Sequence, residues 1–474
     1  MPKSWILRTG FWALAVLGLS VMAAAGLVFY ARHKFNPSPP SSDFPATADP
    51  LTAQQQDIEQ FSRLLAIDRA FSPAARAQAA RQIAELNSER TPLDGDSFRV
   101  TLMRITALAD NGHTELYDKD GSRNCLPLRV TLFADGLYVL RARSAYADLL
   151  GAQVEKIEGT STRDVIASLE QLHGGTPGRR RTRAAIDVQS PGILYGAGLG
   201  SRADQTTWTF WLPDGSETTR VLGCENAGES EPHGEMTRWL SPEKMPDEQS
   251  DWHSRLSADA DLPLPLRDFN DAFRHVWINH GCALFIQLKA IQNVDRQIIG
   301  DFLKSTTDEM RRRHPCNVIL DVRFNGGGDY TKAASFASHL PDFVAPGGRI
   351  YILTGPQTFS AAITTVGFVK QAAGSRAIIL GEPVGDRLRF YGEGNVGCLP
   401  HAPLCVHYAT GMHDYAQPCD DWNNCFWLNW MFPVRVRSLA PDELIRMTYA
   451  DYAARRDAVF DRALMLAAAP RRQA

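Results

Sequence analysis

Residues Phe11 to Tyr30 read FWALAVLGLSVMAAAGLVFY, twenty positions without a charge. A run of that length is enough to cross a bilayer as one helix. Beyond it the pattern changes several times. Residues 36–50, NPSPPSSDFPATADP, hold few large apolar side chains and read as an extended spacer. From 51 to 110 apolar residues recur at helical spacing, as in FSRLLAI and ARQIAEL. From Leu126 to about Leu222 short alternating runs predict strands, among them RVTLFADGLYVLRA and TTWTFWLPDGSETTRVLG. The second is a hairpin that turns at Pro213, Asp214 and Gly215. Residues 225–265 carry many Glu, Ser, Asp and Pro and read as a linker or a long surface excursion.

The remainder alternates strand and helix in the α/β manner. Strands are predicted at 282–288, 316–322, 349–354 and 376–380. Helices are predicted over 294–313, from a Gly-rich turn through Leu340, and from Ser360 to about Ala373. No internal repeat is present.

Charge adds an exclusion. With 50 Lys+Arg against 53 Asp+Glu the net charge is -3, too near neutral to draw in nucleic acid over a wide surface. Lys3 and Arg8 precede the apolar run, and Arg32 and Lys34 follow it. The free amine tips this balance toward a cytoplasmic N-terminus and a single-pass anchor in the inner membrane, with the rest of the chain extracytoplasmic. Ala23 and Ala25 also fit a signal-peptidase site, which would release a secreted chain.

The eight cysteines agree with export. Cys398, Cys405, Cys419 and Cys425 crowd into one Pro-rich stretch, where disulfides are the simplest reading and 398–405 and 419–425 the pairing expected. A zinc site with the interleaved His401, His407 and His413 is the sharper alternative, but no CxxC or HxxxH spacing supports it. Cys125, Cys224, Cys282 and Cys316 are scattered; Cys282 and Cys316 read as buried thiols. No metal or cofactor is expected. The basic run GRRRTR at 178–183 reads as a solvated loop.

Two strand-to-helix turns carry the chemistry. In DVRFNGGGDY, Asp321 to Tyr330, three glycines free the backbone N–H groups to face a bound group. Phosphate binding and tight packing are the alternatives. In TGPQTFSAA, Ser360 opens a helix, where a serine is an N-cap or a nucleophile whose oxyanion the first helical amides stabilise. A nucleophilic serine needs a base. His113, in ITALADNGHTELYD, is a candidate far upstream and is otherwise a surface histidine.

Together these segments resemble the S41 serine peptidases, the C-terminal processing and tricorn-core proteases. DVRFNGGG (321–328) is similar to the family's DLRxNxGG turn, TFSAA (358–362) to its nucleophile turn, and IILGEPVGDR (378–387) to the strand and loop that follow. ADNGHTEL (109–116) resembles the DGHT segment of the tricorn-like branch, and the C-terminal SLAPDELIRMTYADYAARRDAVFDRAL resembles the family ending. The resemblance covers roughly 100–470. It implies an α/β core of the crotonase/ClpP-like spiral fold over 271–474, a linker over 225–270 and a PDZ-like β-rich module over 126–224. Ahead of these would lie a helical segment with His113 over 51–125, a spacer over 36–50 and a signal anchor or transmembrane segment over 1–35.

It further implies Ser360 as nucleophile, His113 as general base, and Gly327 or Gly326 with Ala361 as the oxyanion hole. The substrate would be a protein or peptide, and Gly136, Leu137 and Tyr138 would form a carboxylate-binding loop, unless that stretch is a plain sheet turn. Aromatics Phe390, Tyr391, Phe426, Trp427 and Trp430 could line a groove or pack in the core. The chain departs from the family in two places. Asp386 and Arg387 replace the processing-protease lysine, and the acid of the tricorn branch is missing. Glu382, Asp386, Asp420 and Asp421 are candidates for that acid, Asp386 first. An inactive peptide-binding scaffold, or a non-peptidase hydrolase or ligand carrier on the same core, therefore stays open.

Overall fold

The computed structural model describes residues 20–22, 25–119, 124–225, 236–244, 251–259, 261–278 and 282–468. Most of the apolar run that predicts a membrane helix lies outside them. Among the described residues no helix is long and apolar enough to cross a membrane.

Three helices follow the spacer, Pro50–Ile67, Pro73–Asn87 and Gly95–Ala107. Each begins where the sequence places a cap: the side chains of Asp49, Ser72 and Asp94 accept hydrogen bonds from first-turn amides. Two of the three start on proline, whose fixed φ and missing N–H suit that position.

The β-rich module is an antiparallel sheet in the order 128–133, 136–143, 153–157, 205–211 and 217–223. The predicted hairpin pairs Gln205 with Gly223 through Trp211 with Glu217. Trp208, Phe210, Val130 and Leu137 from this sheet share one buried cluster with Phe61, Leu64 and Leu102 of the helices. Helical segment and sheet are thus one packed body.

GRRRTR lies within a helix, Pro177–Asp187, and is not a loop. Two of its arginines are in ion pairs, Arg181 with Glu170 and Arg183 with Glu115. The linker expected over 225–270 is, in its described parts, tightly packed: Trp239, Trp252, Leu256, Leu262 and Phe269 are all buried. Residues 252–254 add a strand beside 136–143.

The second body is a six-stranded sheet, in the order Glu443–Leu444, Ala377–Gly381, Ile350–Thr354, Asn317–Asp321, Ala283–Leu288 and Phe273–Ile278. All neighbours are parallel except the last pair. Both faces are covered, as a parallel sheet requires. Leu284, Ile286 and Leu288 pack against helices Ile299–Arg313, Thr331–His339 and Ala361–Ala373. Ala283 and Phe285, pointing the other way, meet Phe460 and Ala463 of helix Ala458–Ala468.

All eight cysteines are in disulfides. Cys398–Cys405 and Cys419–Cys425 are the expected pairs. Cys282–Cys316 corrects the buried-thiol reading, and Cys125–Cys224 pairs two cysteines for which the sequence offered no reading. Cys282 and Cys316 stand at the starts of two neighbouring parallel strands, and the register of those strands brings them together.

Candidate active site

The Gly-rich turn leaves strand Asn317–Asp321 under firm control. Arg323 is buried and bridges Asp321 and Asp457, each at 2.8 Å. Asn325, fully buried, donates to Leu288 O, and its Oδ1 accepts from Gly327 N at 2.9 Å. Gly327 has φ +117. A Cβ there would stand 2.6 Å from the Cβ of Ser360, so only glycine lets the two turns touch. Phe359 N donates to Asn325 O, and Thr358 Oγ1 to Val322 O, which ties the serine turn to the glycine turn.

Ser360 itself has φ +52 and ψ -124, a conformation that is strained for any residue with a side chain. It precedes helix Ala361–Ala373, and its side chain makes no capping hydrogen bond. The N-cap reading is therefore set aside. The N–H groups of Ala361 and Gly326 make no hydrogen bond among the described residues, whereas that of Gly327 is bonded to Asn325. Of the two glycines named for an oxyanion hole, Gly326 keeps the open amide.

His113 arrives from the other body. Its ring stacks on Phe359, the residue before Ser360, with centroids 4.2 Å apart, and on Phe390 at 5.4 Å. Phe390 in turn stacks on His413, and the Arg179 guanidinium covers the outer face of Phe359 at 3.9 Å. The result is one column of five planar groups with His113 at its centre.

The loop carrying His113 is pinned on several sides. Asp110 pairs with Arg387, and His407 donates from Nδ1 to His113 O. Asn111 Oδ1 accepts from Tyr391 N, and Thr114 donates to buried Asp68. Burial pushes Asp68 up to about 6 despite those donors.

Asp386 Oδ2 lies 3.7 Å from His113 Nδ1, with the Asp386 side chain fully buried. Neither His113 ring nitrogen nor Asp386 Oδ2 has a hydrogen-bond partner. These unpaired buried groups face each other slightly beyond bonding distance, as catalytic pairs do before substrate tightens them. Burial holds His113 below its ordinary value. Asp386 opposes that shift, while Arg179 and His413 add to it. The imidazole is therefore neutral near pH 7 and able to accept a proton.

The other acids lie elsewhere. Glu382 pairs with Arg446, and Asp421 caps the turn at Asn423 and Asn424. Gly136, Leu137 and Tyr138 begin the second strand of a tight hairpin. Leu137 is buried, and Tyr138 stacks on Tyr449 at 4.0 Å. These contacts are those of a sheet turn, one of the two readings the sequence offered for the stretch. Of the aromatics, Phe390 and Phe426 are buried, while Trp430 is exposed. Sequence reasoning missed Arg179 and Phe359 as neighbours of His113, because nothing local marks a stack built from three distant segments.

The structure thus brings together two apposed turns, a strained serine at a helix N-terminus and a buried histidine–carboxylate pair. Comparison with solved structures finds the same architecture in mature CPAF. Its complex with lactacystin matches with a TM-score of 0.53 at 13% identity, covering 88% of this chain and 98% of that one. Mature CPAF alone gives 0.51 at 13%, covering 88% and 96%. The photosystem II D1 C-terminal processing protease aligns at 14% identity over 84% and 94%, with a TM-score of 0.37. No family model and no curated protein matches the sequence. The chain therefore has the CPAF fold.

Proposed function

We propose that the chain is a serine endopeptidase of the S41 type that acts outside the cytoplasm on protein or peptide substrates. The observation that carries this reading is Ser360: a non-glycine residue at positive φ, without a capping bond, at a helix N-terminus against Gly327. Such strain persists where a nucleophile must be presented.

Ser360 Oγ attacks the substrate carbonyl, and His113 takes its proton and returns it to the leaving amine. Asp386 orients the imidazole and stabilises its charged form. The amides of Ala361 and Gly326 receive the oxyanion. The β-rich module, read as PDZ-like, offers the edge strand Glu217–Gly223 for an extended peptide to join. Four disulfides suit an extracytoplasmic protein, tethered by residues 11–30 or released after cleavage near Ala25.

The test is labelling with a fluorophosphonate followed by peptide mapping. Label on Ser360, lost in Ser360→Ala and in His113→Ala, is the expected result. A folded chain that takes no label would make it a peptide-binding scaffold.

A further inference from the structure

We propose that the face formed by Trp422, Trp430 and Met431, with the basic cleft beside it, rests on an anionic lipid bilayer. This inference rests on the extracytoplasmic reading above and adds which side of the body meets the membrane.

Trp422 is 72%, Trp430 41% and Met431 64% exposed, although each is large and apolar. The two tryptophans touch, with centroids 4.3 Å apart. The Cys419–Cys425 disulfide closes the loop carrying Trp422, and Trp430 Nε1 donates to Cys419 O at 2.9 Å. Patches of this kind on a soluble body mark an interaction site.

The apolar N-terminal run ends at the same place. Residues 25–35 are helical, and Leu27, Phe29 and Tyr30 are exposed. The end of the helix is seated on the body: Phe35 is buried and meets Phe426 edge-on at 5.6 Å. Lys34 then donates to Trp422 O at 2.7 Å and lies over the Tyr30 ring, joining the helix to the tryptophan patch. Trp and Tyr beside Lys and Arg, at the end of an uncharged run, is the composition found where a protein meets the headgroup layer.

Charge supports the same occupant. A cleft of about 680 Å³ beside Lys34 is also lined by His33, Arg69 and Arg76. Its one carboxylate, Asp68, is buried and already accepts three hydrogen bonds. Lys34, Arg69 and Arg76 are pinned by backbone carbonyls, which fix the cations without neutralising them. A headgroup phosphate would complement them. Asp68 and Tyr391 line this cleft and also brace the His113 loop, so the bilayer would lie just behind the catalytic histidine and favour substrates held near it.

The full chain is reconstituted into phosphatidylglycerol vesicles with brominated or ordinary acyl chains, alongside a Trp422→Phe, Trp430→Phe variant. Wild-type minus variant emission isolates the pair. The expected result is quenching of that emission in brominated vesicles, weaker when phosphatidylcholine replaces phosphatidylglycerol. Equal emission in brominated and ordinary lipid, from protein that floats with the vesicles, overturns the proposal. So does a concentration-dependent dimer that the variant abolishes, with no quenching. An alkaline carbonate wash keeps the two readings apart: a chain washed off yet quenched beforehand loses its anchor and keeps its docking face.

Discussion

Replacing Asp386 with Asn is the sharpest probe of the site, because it removes a charge and leaves the shape. Asn keeps an acceptor for Arg387 N, the bond that Asp386 Oδ1 makes at 2.9 Å. The loss falls on His113, whose Nδ1 is 3.7 Å from Asp386 Oδ2. At that distance and an effective dielectric of about 20, a full charge pair is worth about 4.5 kcal/mol. In the proposed mechanism His113 is charged in the transition state and neutral in the free enzyme, so the loss falls mainly on kcat. It corresponds to roughly a thousandfold. The assay is kcat/KM against pH with a fluorogenic peptide, and urea unfolding as the control. The plateau should drop roughly a thousandfold, and the acid limb should move to lower pH, since the group that raises the His113 pKa is gone. A variant within tenfold of wild type, with an unmoved limb, would falsify the assignment of Asp386.

Arg179→Gln should act in the opposite sense. Removing the cation raises the His113 pKa and moves the acid limb of kcat/KM upward. The linked stability follows: with the folded pKa below the ordinary value of about 6.5, stability is full above that pH and is lost as pH falls toward the folded value. Arg179→Gln should narrow that window in pH-dependent unfolding. Ser360→Gly should abolish activity yet raise unfolding free energy by about 1 kcal/mol in urea, since glycine accepts φ +52 without strain. Replacing Cys125 and Cys224 together with Ser opens a link between residues 99 apart. That should cost on the order of 4 to 5 kcal/mol, read by the same unfolding curve.

The core sheet was legible because each of its central strands is a short apolar run bounded by turn residues, whereas the start of the first intervening helix, expected at 294 and found at Ile299, carries no side-chain cap to mark it. The serine and glycine turns were legible because both lie within one local stretch. Among the acids the sequence could only rank Asp386 ahead of Glu382, Asp420 and Asp421, because the approach of Asp386 Oδ2 to His113 Nδ1 at 3.7 Å exists only in the fold. The hidden disulfides fail for the same reason. Cys282 and Cys316 meet through parallel register, and Cys125 and Cys224 through opposite ends of a sheet module. GRRRTR misled because charge run alone was weighed. Pro177 at the helix start, capped by Thr176, was the signal available.

The buried clamp of Asp457 on Arg323 has a consequence in time. In synthesis order His113 comes first, Ser360 well after it, and Asp457 later still. Until Asp457 is made, Arg323 has Asp321 as its carboxylate partner, and the glycine turn that faces Ser360 lacks one of its braces. On the proposed mechanism, a growing polypeptide would thus carry a base without a nucleophile, then a nucleophile beside a partly braced turn. Full activity would wait for the last acid, a delay written into the order of the chain itself.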